Sequence, residues 1–305
     1  MRGNKFTLID CVAGLLIVML SAAWLISADV KELKTRNRIK CASNLRMIGQ
    51  AMLLYANENR GQFPRTPSEN KATEKPVWGT PYEGNKDLGA GDADPFVKDT
   101  ADNAKFKPAL NDVSAAIYML LRTEDITAAV FVCPSTIQTA WDFGGEKGFA
   151  VNRWSNWQGK EGILKHLSYS MQNPYISRPA LSKGLKWNNA IAADFAVFGD
   201  MNPGVDLLTQ LKLTTPAEEM RKGNSINHGQ DGQNLLYGDG HVEFQMTPFA
   251  GSVRDNVYTY GTTGDAKPDK GGDGVVGSSV DDKDSILLPT SVGVGSTDPL
   301  LTGGL

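Results

Sequence analysis

Residues Cys11 to Ala28, CVAGLLIVMLSAAWLISA, form a run of 18 residues without a charged side chain. No other feature constrains the fold as strongly, because a helix over this run has no polar face to offer water. Its length would be roughly 27 Å, close to the ~30 Å hydrocarbon core of a bilayer. The run therefore reads as a membrane segment. Arg2 and Lys5 precede it, and a short basic N-terminus stays cytoplasmic, which predicts a single-pass inner-membrane protein with everything after Ala28 on the far side. Three readings compete: a cleaved secretory signal, a plain signal anchor and a pilin-type leader. The run is long for a secretory signal, and Ile26-Ser27-Ala28 puts a bulky residue at the first position of the only tolerable cleavage site.

After Ala28 the chain continues DVKELKTRNRIK without Gly or Pro, so nothing stops the helix. Cys41, Leu45, Ile48, Met52 and Tyr55 then recur at steps of four and three, the spacing of one buried helical face. Gly61, followed by Pro64, supplies a left-handed stop just beyond the Asn57–Arg60 stretch. The expectation is one helix from Phe6 to Asn59, roughly 80 Å long, apolar first and amphipathic later.

The formal charge is −3, so no basic field draws the chain to nucleic acid. The cysteines, Cys11, Cys41 and Cys133, form no CxxC pair, which argues against a structural zinc site or dithiol chemistry. If the region beyond the apolar run is exported, Cys41 and Cys133 are candidates for a disulfide.

Arg60–Lys107 is rich in Pro, Gly, Asn, Lys and Asp and reads as extended loop. Asn111 is placed to cap a short helix whose Val113, Ile117, Leu120 and Leu121 face the core. Ala128–Cys133, Leu167–Met171, Ala190–Phe198, Gln233–Tyr237 and His241–Gln245 read as strands, the last two joined as a hairpin by Gly238-Asp239-Gly240. The fold class is α+β, a long N-terminal helix packed on an antiparallel sheet in a loop-rich head. Four segments follow: leader and apolar helix (1–28), its amphipathic continuation (29–60), the head (61–260) and a Gly/Asp-rich tail (261–305).

His228, Asp239 and His241 are residue types that bind metal or move protons. No GxSxG, HExxH, P-loop or CxxC accompanies them, so the expectation is no enzyme, with His228 and Asp239 bracing the hairpin and its loop. In the tail, Asp265, Asp269 and Asp273 suit calcium, a hard cation, but are spaced by four, unlike the alternating ligands of an EF-hand. The expected cofactor is none, with calcium as the alternative. Trp141, Trp154, Trp157 and Trp187 suit core packing better than a sugar-binding face.

Two stretches carry a resemblance. CASNLRMIGQAMLLYANENRGQFP, Cys41–Pro64, and Ser225-Ile226-Asn227-His228 with the later Gly238-Asp239-Gly240-His241-Val242 resemble the planctomycete prepilin-type family of type IV pilin-like or type II secretion pseudopilin-like proteins. Ten residues separate His228 from Asp239, one more than the family signature has. The leader Lys5-Phe6-Thr7-Leu8-Ile9-Asp10 is similar too. Asp10 stands in place of the glutamate that neutralises a neighbouring subunit's amine, and Lys5 in place of the glycine before the processing site. The resemblance implies a structural subunit whose partners are other pilin-like subunits through the helix, a prepilin peptidase acting before Phe6, and secretion or pilus machinery. A membrane-anchored module binding glycan or protein without assembling is the alternative, and a secreted hydrolase a distant one.

Overall fold

The computed structural model describes residues 8–68, 75–80, 107–145, 149–157, 159–261 and 272–291, with side chains in the long helix described over 12–19 and from 31 onward. Helix α1 spans Leu8–Glu58, 51 residues or roughly 75 Å, without an internal Pro. It ends where expected: Gly61 takes φ +80 and its N–H donates to Ala56 O at 2.7 Å, a left-handed closure that favours glycine.

The membrane reading is corrected. Among the described residues no helix is long and apolar enough to cross a membrane. The single-pass inner-membrane placement built on Cys11–Ala28 goes with it.

The predicted amphipathic face forms. Cys41, Leu45, Ile48, Met52 and Tyr55 are buried, and they lie on an antiparallel five-stranded sheet ordered β4-β3-β2-β1-β5. The strands are β1 (Tyr169–Gln172), β2 (Ala196–Asp200), β3 (Gln233–Tyr237), β4 (Val242–Gln245) and β5 (Leu287–Leu288). The hairpin registers Gln233 with Gln245 and Leu236 with Val242. β5 pairs Leu288 with Met171, so part of the region read as tail returns to the sheet. Helix and sheet approach closely at Gly49, where a Cβ would lie 3.1 Å from both methyl carbons of Leu236.

The sheet is covered on both faces, which is why β1, β2 and β3 are buried at every residue. On the α1 side Met171, Phe198, Leu236 and Leu288 join Leu45 and Ile48. On the other side Ala196, Leu235, Tyr237 and Leu287 meet Leu208, Leu211, Val257 and Tyr258. Successive strand residues point to opposite faces, so Leu235 and Leu236 enter different cores.

Helix α2 (Val113–Thr123) is capped by Asp112, not Asn111: the Asp112 carboxylate accepts the Ala115 N–H at 3.0 Å. Asn111 instead sits at φ +60. Asp112 is fully buried and also accepts from Ser114 Oγ at 2.8 Å, Thr80 N at 3.0 Å and Asn156 Nδ2 at 2.9 Å. Burial pushes its carboxyl upward against these donors. Asp112→Ala removes a helix cap and a loop anchor together, and is expected to lower stability by about 2–3 kcal/mol; a urea titration showing less than about 1 kcal/mol would refute the anchoring role.

Ala128–Cys133 is not a strand. Ala128–Phe131 forms a 3-10 turn, and the segment is tied to Ser168 in place of a strand ladder, with Ser168 N–H donating to Phe131 O at 2.8 Å and Cys133 N–H to Ser168 Oγ at 2.8 Å. Its apolar residues face α1 and Trp157 rather than a neighbouring strand. The short helices α3 (Gly159–His166), α4 (Arg178–Ser182) and α5 (Ala217–Arg221) complete the described head.

Candidate functional site

Four chain segments meet at Cys41, the first buried residue among the described side chains of α1. Cys41 comes from α1, and Cys133 follows the 3-10 turn. Asp200 is the last residue of β2, and His228 closes the 3-10 turn Ile226–His228. That last turn is shaped locally: Ser225 Oγ accepts the Asn227 N–H, and Gly229 takes φ +63 beyond it, which releases the chain toward β3.

All four side chains are buried, and one ligand atom from each lies within 4.8 Å of the others. Cys41 Sγ is 3.0 Å from Asp200 Oδ1, Cys133 Sγ is 3.8 Å from His228 Nε2, and His228 Nε2 is 3.2 Å from Asp200 Oδ2. The carboxylate is otherwise well supplied. Asn227 Nδ2 donates to Oδ1 at 3.0 Å and the Asn234 N–H to Oδ2 at 2.6 Å. A relay backs the first thiol: Asn44 Nδ2 donates to Tyr169 Oη at 3.3 Å, which lies 3.2 Å from Cys41 Sγ. His228 Nδ1 lies 3.2 Å from Ser135 Oγ. Over the imidazole sits Phe244, edge to face at 5.8 Å, with the Arg38 guanidinium 4.2 Å above its ring.

This arrangement sets the charges. Burial alone opposes an imidazolium, but the Asp200 carboxylate outweighs it by charge and by hydrogen bonding, and His228 rises from 6.5 to about 10. Burial likewise opposes the Asp200 charge, and His228 together with Cys41 and the Asn234 N–H overcomes it, holding the carboxyl below its ordinary value. Against burial, Cys41 and His228 bring Cys133 down to about 7. Burial pushes Cys41 well up. These shifts favour a buried imidazolium–carboxylate pair flanked by two thiols of unequal acidity.

The expected disulfide is not formed: Cys41 and Cys133 are both free and buried. The expected brace is divided in two. His228 pairs with Asp200, whereas Asp239 pairs with His241 within its own turn, accepting the His241 N–H at 3.0 Å and contacting Nδ1. His241 also stacks on Tyr237 at 4.5 Å. Backbone and side-chain hydrogen bonds from His241 lower the Asp239 carboxyl, which is exposed. Lys5 and Phe6 lie outside the described residues, as do Asp265 and Asp269; Asp10 lies in α1 with its side chain outside the description. Asp273 is placed by its backbone N–H, which donates to Tyr260 O at 2.6 Å. The tryptophans pack inside, Trp141, Trp154, Trp157 and Trp187 being at most 4% exposed.

Asp200 escaped the sequence reading. It ends the apolar stretch Phe195-Ala196-Val197-Phe198-Gly199, and a carboxylate closing a fully buried strand needs a partner. That is the signal that would have found it.

No family model matches the chain, and neither curated proteins nor solved structures give a match.

Proposed function

We propose that this chain is a structural, pilin-like or pseudopilin-like subunit of a type II secretion or type IV pilus-like assembly, which works by packing α1 against the equivalent helices of neighbouring subunits. The observation that supports this reading is the division of α1. From Cys41 onward one face is buried on the sheet, while Val12, Leu15, Leu16, Ile17, Val18 and Met19 are each 50–67% exposed. A contiguous apolar helix surface left in water costs free energy that a like helix relieves by covering it. A second copy is the occupant this surface fits, because the described side chains of that stretch are apolar or small on every side, so several neighbours can pack around one helix at once.

Turnover plays no part in this reading; the head is carried as cargo on a helical spine. Full-length protein should assemble into oligomers or fibres visible by sedimentation and electron microscopy. The double substitution Leu16→Glu with Ile17→Glu should abolish assembly and leave the thermal midpoint of the head unchanged, since neither side chain touches the core. A wild-type chain that stays monomeric at all concentrations, or a double variant that assembles as well as wild type, would refute the proposal.

A further inference from the structure

We propose that Cys41, Cys133, Asp200 and His228 form a closed four-ligand site for a divalent thiophilic metal ion, Zn2+, that clasps α1 to the head. The inference concerns the head alone and does not depend on assembly through the apolar end of α1.

The donor set is the first argument. Two thiols, an imidazole nitrogen and a carboxylate oxygen converge with all ligand atoms within 4.8 Å of one another. A tetrahedral zinc site, with metal–ligand distances of about 2.0–2.3 Å, has edges of roughly 3.3–3.8 Å. Three of the six edges, 3.0 Å for sulfur to oxygen, 3.2 Å for nitrogen to oxygen and 3.8 Å for sulfur to nitrogen, lie within a few tenths of an ångström of that range. The widest separation, at most 4.8 Å, closes by about an ångström through side-chain rotation.

The second argument is the surround. A ligating histidine is oriented by a partner on its other ring nitrogen, and here Ser135 Oγ faces Nδ1 at 3.2 Å while Nε2 points inward. A ligating carboxylate is likewise held, and Asp200 is fixed by Asn227 Nδ2 and the Asn234 N–H. Both thiols are free and buried, so they are neither exposed to casual oxidation nor already joined. Soft thiolates favour zinc over calcium or magnesium, and four protein ligands leave no open position, which makes the centre structural rather than catalytic. On binding, the thiols and the His228 imidazolium give up their protons to solvent, the ring coordinates through the Nε2 so freed, and the ion neutralises most of the anionic charge of two thiolates and a carboxylate.

Cysteine spacing along the chain does not exclude such a site. Zinc motifs legible in sequence bring two ligands from one loop, whereas here every ligand comes from a different segment, and α1 and β2 must pack before the site exists.

The test uses the full chain, purified under reducing conditions and stripped with chelator, then titrated with Co2+ alone. Expected are thiolate-to-cobalt charge-transfer and tetrahedral ligand-field bands saturating at one equivalent, abolished on adding Zn2+. Zn2+ should protect both thiols from maleimide and raise the thermal midpoint. Cys133→Ser and His228→Asn should lose the bands, His241→Asn should keep them, and Ser135→Ala should weaken binding roughly tenfold. If the folded wild-type protein gives no thiolate–cobalt band with excess ion, or if His241→Asn removes the band while His228→Asn keeps it, the proposal is wrong. A Cys41–Cys133 disulfide in the protein as isolated, mapped by non-reducing mass spectrometry, would overturn it as well.

Discussion

His228→Ala, measured with chelator present, is expected to destabilise the head by about 3–5 kcal/mol, the range for removing one partner of a buried ion pair. Asp200 has no access to solvent and the His228 side chain is only 6% exposed, so the alanine variant strands a carboxylate in the interior. Asn227 and Asn234 still donate to it, but dipoles do not replace a full charge at 3.2 Å. Asp200→Asn should cost less, because it removes the charge that needs compensating and leaves His228 free to become neutral. The double variant should fall short of the sum, since the second change removes the penalty the first creates. Urea titrations of the four proteins measure the cycle. Strict additivity would show that the pair is not coupled, and an Asp200→Asn variant as costly as His228→Ala would refute the stranded-charge account.

The same pair sets the pH profile of the metal-free protein. His228 is raised from 6.5 to about 10, so its contribution is complete below about pH 6.5 and is lost as pH climbs to 10. Asp200 is depressed, so its contribution is present above the ordinary carboxylate range and lost as acid protonates it. Cys133, lowered from 9 to about 7, acts in the opposite sense to His228 between those values and softens the early alkaline decline. Stability should therefore be greatest on the mildly acidic side of neutrality and fall most steeply above pH 9. His228→Ala should flatten the alkaline limb.

The parts of the fold legible in the sequence were those governed by local rules. The 4-3-4-3 spacing from Cys41 to Tyr55 fixed the buried face of α1, Gly61 fixed its end, and Gly238-Asp239-Gly240 fixed the hairpin. The apolar run at Cys11–Ala28 was just as visible, yet its meaning depends on surroundings that hydropathy does not encode. The site was illegible for a different reason. Its four ligands are separated by 92, 67 and 28 positions along the chain, so no window contains two of them. His228 was recognised at the head of a polar, Gly-containing loop, but in sequence the acid that stands out beside it is Asp239, with only ten residues between them. In space the acid that matters is Asp200, delivered by β2 beside β3 through the registers of Ala196 with Tyr237 and Gly199 with Leu235. Strand order decides that juxtaposition, and strand order is a property of the whole sheet.

Trp157→Ala is expected to have an effect of the same size, about 3–5 kcal/mol, through loss of packing rather than charge. Trp157 is completely buried, and its ring meets Tyr118 at 5.8 Å and 85°, Phe131 at 5.4 Å and 65°, and Trp141 at 6.0 Å. Those neighbours belong to α2, to the 3-10 turn that leads to Cys133, and to the loop before α3, so the indole is the piece around which three otherwise irregular segments organise. Alanine leaves a void lined by rigid rings, which cannot rotate into it as a flexible side chain would, and the cavity cost stays near its maximum. The backbone next to it is tethered as well: Asn156 Oδ1 accepts the Trp157 N–H at 2.9 Å, and Asn156 Nδ2 donates to Asp112, so the loop cannot slide to fill the gap. Trp157→Phe keeps a ring in contact with all three neighbours and should cost well under half as much. Circular dichroism against urea is the proper measure, because five tryptophans remain to confuse fluorescence. An alanine variant that loses less than about 1 kcal/mol would show that the aromatic cluster decorates this region instead of holding it together.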